Sequence, residues 1–262
     1  MRILINGLLP YDSGKTTITR SLLKILRDLG FDVGFSKPIS GINGWYQYEC
    51  IERSLEFGFL VGEDMLRLYE VCKEDLKVTC PVISIVFPPD FERIFWRTDT
   101  IKFHIPTMMR ILHDHIVFED SLSLLPKTLK EIVYQLIEVL KPLKSRDFNR
   151  MFERSIKVAD ECLRNIEHDV VLIESYSNVS SPTLESSHVD FVLTVAPAKV
   201  ALMKGEEFRM ALDVMQSKPW NVTTESILEI LKPIKTFDVP PNDADKVAYD
   251  ITSFIFREAP VG

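Results

Sequence analysis

Residues Gly7-Leu8-Leu9-Pro10-Tyr11-Asp12-Ser13-Gly14-Lys15-Thr16-Thr17 lie between a short apolar run at 2–6 and a stretch with apolar residues at helical spacing. Upstream, the run has the length and composition of a buried parallel strand. Downstream, Ile18, Leu22, Leu23, Ile25, Leu26 and Leu29 predict a helix over 16–29, which Gly30 ends. Residues 31–35 read as a second strand that exits at Lys37-Pro38. Strand, loop, helix and strand in that order make a βαβ unit.

The loop has the chemistry of a phosphate cradle. Such a loop needs backbone N–H groups that converge on an anion, and a helix whose N-terminus points at it. Gly14 permits close approach, Lys15 neutralises β- and γ-phosphates, and the Thr16 hydroxyl can ligate Mg²⁺. Asp12, Ser13 and Thr17 complete the expected cradle. The usual spacing puts a glycine five residues before Gly14, where this chain has Leu9. Its nearest upstream glycine is Gly7, so the motif is a variant.

Two more segments join it. The apolar run at 169–173 ends in Glu174, an acid at a strand's carboxyl end. Alone it reads as a solvated carboxylate; beside a phosphate loop it reads as a Mg²⁺ ligand. Ser36-Lys37-Pro38-Ile39-Ser40-Gly41 follows the second strand and brings Lys37 to the same sheet edge. There the lysine would face a transferred phosphate or an anionic substrate, with Ser40 beside it.

The rest of the chain sets the expected fold. Helices are predicted at 49–57, 62–72, 107–113, Lys127–Leu140 and 147–166, and Val82–Phe87 reads as a strand or extended segment. Later, strands at 169–173, 191–195 and 234–239 alternate with helices at 198–215, 223–231 and 243–257; the 198–215 periodicity breaks only near Lys204-Gly205. This rhythm predicts an α/β fold: one doubly wound, mainly parallel sheet with helices on both faces, in a single domain. A mostly helical insertion is expected at about 90–144.

Composition narrows the function classes. The net charge is −7 and the pI about 5.4, so there is no basic footprint and nucleic acid is not an expected partner. The four cysteines, Cys50, Cys72, Cys80 and Cys162, have no metal-binding or disulfide spacing, which suits a reducing cytosol. No apolar run approaches the roughly 20 residues that cross a bilayer, and the N-terminus runs directly into a strand, so neither a membrane span nor a removable leader is expected. His104, His113 and His115 with Asp114 form a loose cluster, more simply surface or packing residues than a metal site, since neighbours in sequence cannot share one helix face.

Gly14-Lys15-Thr16-Thr17, the Lys37-Pro38-x-Ser40-Gly41 turn and the apolar strand ending in Glu174 together resemble dethiobiotin synthetase, within the P-loop NTPase clan that includes the MinD and CobQ-type proteins. Gly62-Glu63-Asp64-Met65-Leu66-Arg67-Leu68 is similar to that family's Ser-Asp-Ala-Leu-Ala-Leu segment. The resemblance implies ATP as the nucleotide and Mg²⁺ held by Thr16, Asp64 and Glu174. It implies that Lys15 and Lys37 act on the phosphate and the substrate, with Ser40 beside them. Where the family has a glycine-rich segment after its glutamate, this chain has Ser175-Tyr176-Ser177-Asn178. The expected activity is ATP hydrolysis or ATP-dependent phosphoryl transfer or ligation, onto an unknown small-molecule or protein acceptor. The alternative is a nucleotide-dependent switch or assembly factor with slow hydrolysis of ATP or GTP. A homodimer fits either reading.

Overall fold

The computed structural model describes residues 1–94 and 105–258. Its N-terminal half contains β1 (Arg2–Gly7), α1 (Lys15–Asp28), β2 (Val33–Ser36), β3 (Ile39–Asn43), α2 (Tyr48–Phe57), α3 (Glu63–Cys72), α4 (Leu76–Thr79), β4 (Val82–Phe87) and α5 (Phe91–Ile94). Next come β5 (Ile105–Ile111), β6 (Asp114–Phe118), α6 (Glu119–Ser123), α7 (Lys127–Leu140), β7 (Leu143–Ser145) and α8 (Phe148–Arg164). The chain continues with β8 (Val170–Glu174), β9 (Phe191–Ala196), β10 (Lys199–Lys204), α9 (Gly205–Val214), α10 (Thr224–Leu228), β11 (Lys235–Asp238) and α11 (Ala244–Glu258).

The alternation within β1 dictates its surroundings. Ile3 and Ile5 pack with α1 and α11 residues such as Leu22 and Ile251, while Leu4 packs with Leu163 of α8 and Phe208 of α9. A strand apolar on both faces needs helices on both, and that is how this sheet is covered. The six strands run in the order β11-β10-β9-β1-β8-β2. β1 pairs in parallel with β8 and β9, and β2 with β8, whereas β10 is antiparallel to both its neighbours.

The structure corrects the expectation of one mainly parallel sheet. A second sheet, in the order β3-β4-β5-β6-β7, mixes parallel and antiparallel pairs, so the fold is α/β with two mixed sheets. The predicted helix at 107–113 is instead β5 and its turn into β6. Its methionines favour helix by propensity, yet Met108 and Met109 fill opposite faces of the sheet, and packing overrides the propensity. Within the 90–144 stretch, of which 95–104 lie outside the described residues, β5, β6 and the start of β7 join the second sheet, while α6 and α7 are helical and α7 lies over that sheet through Leu129, Val133 and Leu136. The predicted helix at 198–215 is also corrected. Its first part is β10, and only the part after the break at Gly205 is helical.

Two helices fasten the sheets together. Met65 of α3 packs into the core of the second sheet and Leu68 into that of the first. Ile156 and Ala159 of α8 meet the second sheet, and Leu163 the first. Register brings the ends of the parallel strands level: Ile5 lies opposite Glu174, and Ser36 opposite Ile173. The carboxyl ends of β1, β8 and β2 therefore open on one edge, beside the second sheet.

Candidate functional site

The loop from β1 to α1 is shaped by its own backbone. Asp12 (φ 53°) and Gly14 (φ 88°) are both left-handed, which turns successive amides the same way, as in an anion-binding nest. The Ser13 hydroxyl donates to the Leu9 carbonyl at 2.8 Å and accepts from the Leu9 amide at 3.0 Å, tying the loop across its neck. The loop's side chains crowd Gly7: a Cβ there would lie 2.7 Å from both Lys15 Nζ and Ser13 Oγ and would displace them. No side chain caps α1 at Gly14, and its first turn has no acidic residue. The positive end of the helix dipole is left to whatever anion lies before it.

Around this loop opens a cavity of about 610 Å³. All the residues expected at the site line it except Glu174, which lies beneath its floor: Asp12, Ser13, Gly14, Lys15, Thr16 and Thr17 on one side, Lys37, Ser40 and Asp64 on the other. Lys15 Nζ donates to the Ser177 carbonyl at 2.8 Å. Burial, followed by the Lys37 charge, pulls Lys15 below the ordinary lysine value, against the raising effect of Glu174, Asp64 and Asp12. Ser40 is buried at the cavity wall.

Glu174 is fully buried and both its oxygens are in use. Oε1 accepts from Thr16 Oγ1 at 2.9 Å and from Lys37 Nζ at 2.7 Å, and Oε2 accepts from Thr19 Oγ1 at 2.9 Å. Lys37 Nζ also reaches Asp64 Oδ2 at 2.5 Å. Burial opposes the Lys37 charge, but Glu174 and Asp64 outweigh it and hold the ammonium above the ordinary lysine value. In turn the Lys37 charge keeps the Asp64 carboxyl below the usual carboxylate range, against its burial. The sequence predicts Lys37 facing a transferred phosphate or an anionic substrate; here its ammonium is turned onto the two carboxylates.

No family model matches this chain, and no curated protein matches it either. Thr16, Asp64 and Glu174 are hard oxygen donors around one point, which fits Mg²⁺. No group of three or more His, Cys, Asp or Glu suited to a metal occurs among the described residues. Two carboxylates and a hydroxyl are the sparse protein set that suits Mg²⁺ carried with phosphate oxygens and water.

Some residues in or behind the cavity wall were not singled out from the sequence. Thr19 lies one turn beyond Thr16, and a polar residue in the buried face of α1 was its only signal. Asn43, Gln47, Arg67 and Tyr176 extend the cavity away from the loop. The histidine cluster is not a metal site among the described residues. His115 Nε2 accepts from the Leu60 amide at 3.2 Å and His113 is exposed in a turn, while His104 lies outside the described residues. No helix among the described residues is long and apolar enough to cross a membrane.

Proposed function

We propose that this chain is a P-loop-type, Mg²⁺-dependent ATP-binding enzyme that hydrolyses ATP or transfers its terminal phosphoryl group to an acceptor. One observation carries the reading. An uncapped helix N-terminus, an adjacent ammonium and a threonine–carboxylate cluster converge on one cavity at the carboxyl edge of parallel strands. Adenine is preferred because the sequence lacks an Asn-Lys-x-Asp guanine motif.

The residues divide the work. Amides of the Asp12–Gly14 nest and the first turn of α1 would bind the phosphate tail, and Lys15 would stabilise charge that develops on the transferred group. Thr16, Asp64 and Glu174 would hold Mg²⁺, which when bound neutralises phosphate charge and orients the terminal group. The cavity continues past the loop along Ser40, Gly41, Ile42 and Asn43, which leaves space for a small acceptor and favours an enzyme over a pure switch. With Lys37 released from its carboxylates, its ammonium would be in reach of that space.

Titration calorimetry with Mg²⁺–ATP tests the binding half. The parent binds, and Lys15→Ala weakens binding by about a hundredfold, the scale of losing one preorganised charge partner. A variant that retains parental affinity overturns the reading. Phosphate release, with and without small amine and carboxylate acceptors, tests the transfer half. Absence of phosphate release and of acceptor labelling in both conditions rejects the enzyme.

A further inference from the structure

The ammonium of Lys37 occupies the point on which the proposed metal ligands converge. Its Nζ lies 2.5 Å from Asp64 Oδ2 and 2.7 Å from Glu174 Oε1, and Thr16 Oγ1 reaches that same Glu174 oxygen at 2.9 Å. The Lys37 side chain is 3% exposed and that of Glu174 0%. Mg²⁺ takes oxygen ligands at about 2.0–2.1 Å. An ammonium held this closely by both carboxylates leaves no room for a divalent ion between them, and its charge repels one.

The arrangement also answers an electrostatic need. Glu174 is buried, with the half-exposed Asp64 beside it, and a buried carboxylate next to a like charge is costly unless a cation is between them. Without a metal, Lys37 is that cation. Its main chain is fixed, since its amide donates to the Thr79 carbonyl at 2.7 Å and Pro38 follows, but the four-carbon stem can rotate. Lysine suits this task better than arginine, because a compact point charge on a flexible stem can exchange one set of oxygens for another.

We propose that Lys37 is an internal counter-cation that bars free divalent metal from the Thr16–Asp64–Glu174 site, and that it yields only to a polyphosphate tail, so that the chain selects metal–nucleotide over metal alone. The second half rests on the nucleotide reading above. A phosphate tail seated on the loop offers the Lys37 ammonium new anionic oxygens within the same cavity, which is lined by both Lys37 and the loop. As Lys37 turns toward them it uncovers the carboxylates. Binding order follows from this: metal arrives with nucleotide or after it, never before.

The first half is tested without nucleotide. Mn²⁺ stands in for Mg²⁺, and its free form is followed by electron paramagnetic resonance in titrations of the parent, Lys37→Met and Lys37→Gln. Removing the ammonium leaves the carboxylates uncompensated, so each variant should bind Mn²⁺ at least about tenfold more tightly than the parent. Variant affinities no better than the parental one overturn the exchange. Should both variants fail to fold, melting of the parent decides. Unchanged melting temperature in millimolar Mn²⁺ upholds the block, and a rise with Mn²⁺ alone overturns it. The second half is read by adding ATP to the parent, which should bring Mn²⁺ uptake; nucleotide binding without that uptake overturns it. Failure of ATP to bind at all shows in calorimetry as loss of the nucleotide reading, and leaves the nucleotide-free result standing by itself.

Discussion

At the scale of single residues, the second sheet contains charges and hydrogen bonds that belong to stability rather than chemistry. Arg110 is fully buried with no carboxylate hydrogen-bonded to it among the described residues: its guanidinium donates to the carbonyls of Leu60, Cys80 and Leu112 at 3.1, 2.6 and 2.8 Å. Nearby, His115 must be neutral at Nε2 to accept from the Leu60 amide. Burial, then the charges of Arg110 and Lys77, pushes its pKa down to about 4, with Asp114 opposing. The unfolded value is about 6.5. Between the two, the unfolded chain takes up a proton that the folded chain refuses, so stability falls as pH drops through that window and is unaffected by this group above it. His115→Gln keeps an acceptor for the Leu60 amide without titrating. Its melting temperature should therefore decline less than the parent's between pH ~6.5 and ~4; an unchanged slope would show that His115 is not the group responsible. Asp64, held below the usual carboxylate range by Lys37, would lose its contribution only at still lower pH, and so does not confuse the comparison.

At the scale of elements, the hairpin between β9 and β10 shows where local sequence misleads. Ala196 pairs with Lys199, so Pro197 and Ala198 alone make the turn, and Ala198 sits at φ 62°. An alanine in the left-handed region costs roughly 1–2 kcal/mol. Ala198→Gly removes that strain while giving the unfolded chain more freedom, for a net gain of about 0.5–1 kcal/mol. Chemical denaturation should show a higher midpoint at unchanged slope, whereas a lower midpoint would mean the turn is unstrained. The same hairpin explains the sequence error at 198–215. Residues of β10 are good helix formers by pattern, and only pairing with β9 and β11, remote from local periodicity, makes them a strand. Gly205 was the visible cue. A Cβ there would lie 1.7 Å from the Val189 carbonyl, so strand and helix can join only at a glycine. By contrast, the bounds of Lys127–Leu140 and of Val82–Phe87, read as a strand or extended segment, were legible to the residue, because a strong 3.6-residue stripe and a run that is apolar but for Ser84 are local signals. The loop at Gly14 was legible for the same reason. The turning of Lys37 onto Asp64 and Glu174 was not, since it depends on where α3 docks between the two sheets.

At the scale of the whole molecule, the site lies along the junction of its two sheets. Lys15 and Thr16 belong to the first, Ser40 to the second, and Asp64 to α3, which packs into both cores through Met65 and Leu68. Helix α8 repeats the bridge through Ile156, Ala159 and Leu163. Apolar packing shared this way couples the sheets, so the chain should melt in one cooperative transition. A ligand that touches both sides of the junction must then raise that whole transition rather than part of it. At a hundred times its dissociation constant, Mg²⁺–ATP stabilises a one-site protein by about 2.7 kcal/mol. For a chain of this size, that corresponds to an upward shift of roughly 5–10 °C. Calorimetry should show a single peak moving by that amount with ATP and Mg²⁺ together. Two peaks, of which only one moves, would mean that the sheets fold independently and that the nucleotide is held by the first sheet alone. Asp64 and Ser40 would then stand outside the site, and the acceptor space along β3 would lose its claim to the chemistry.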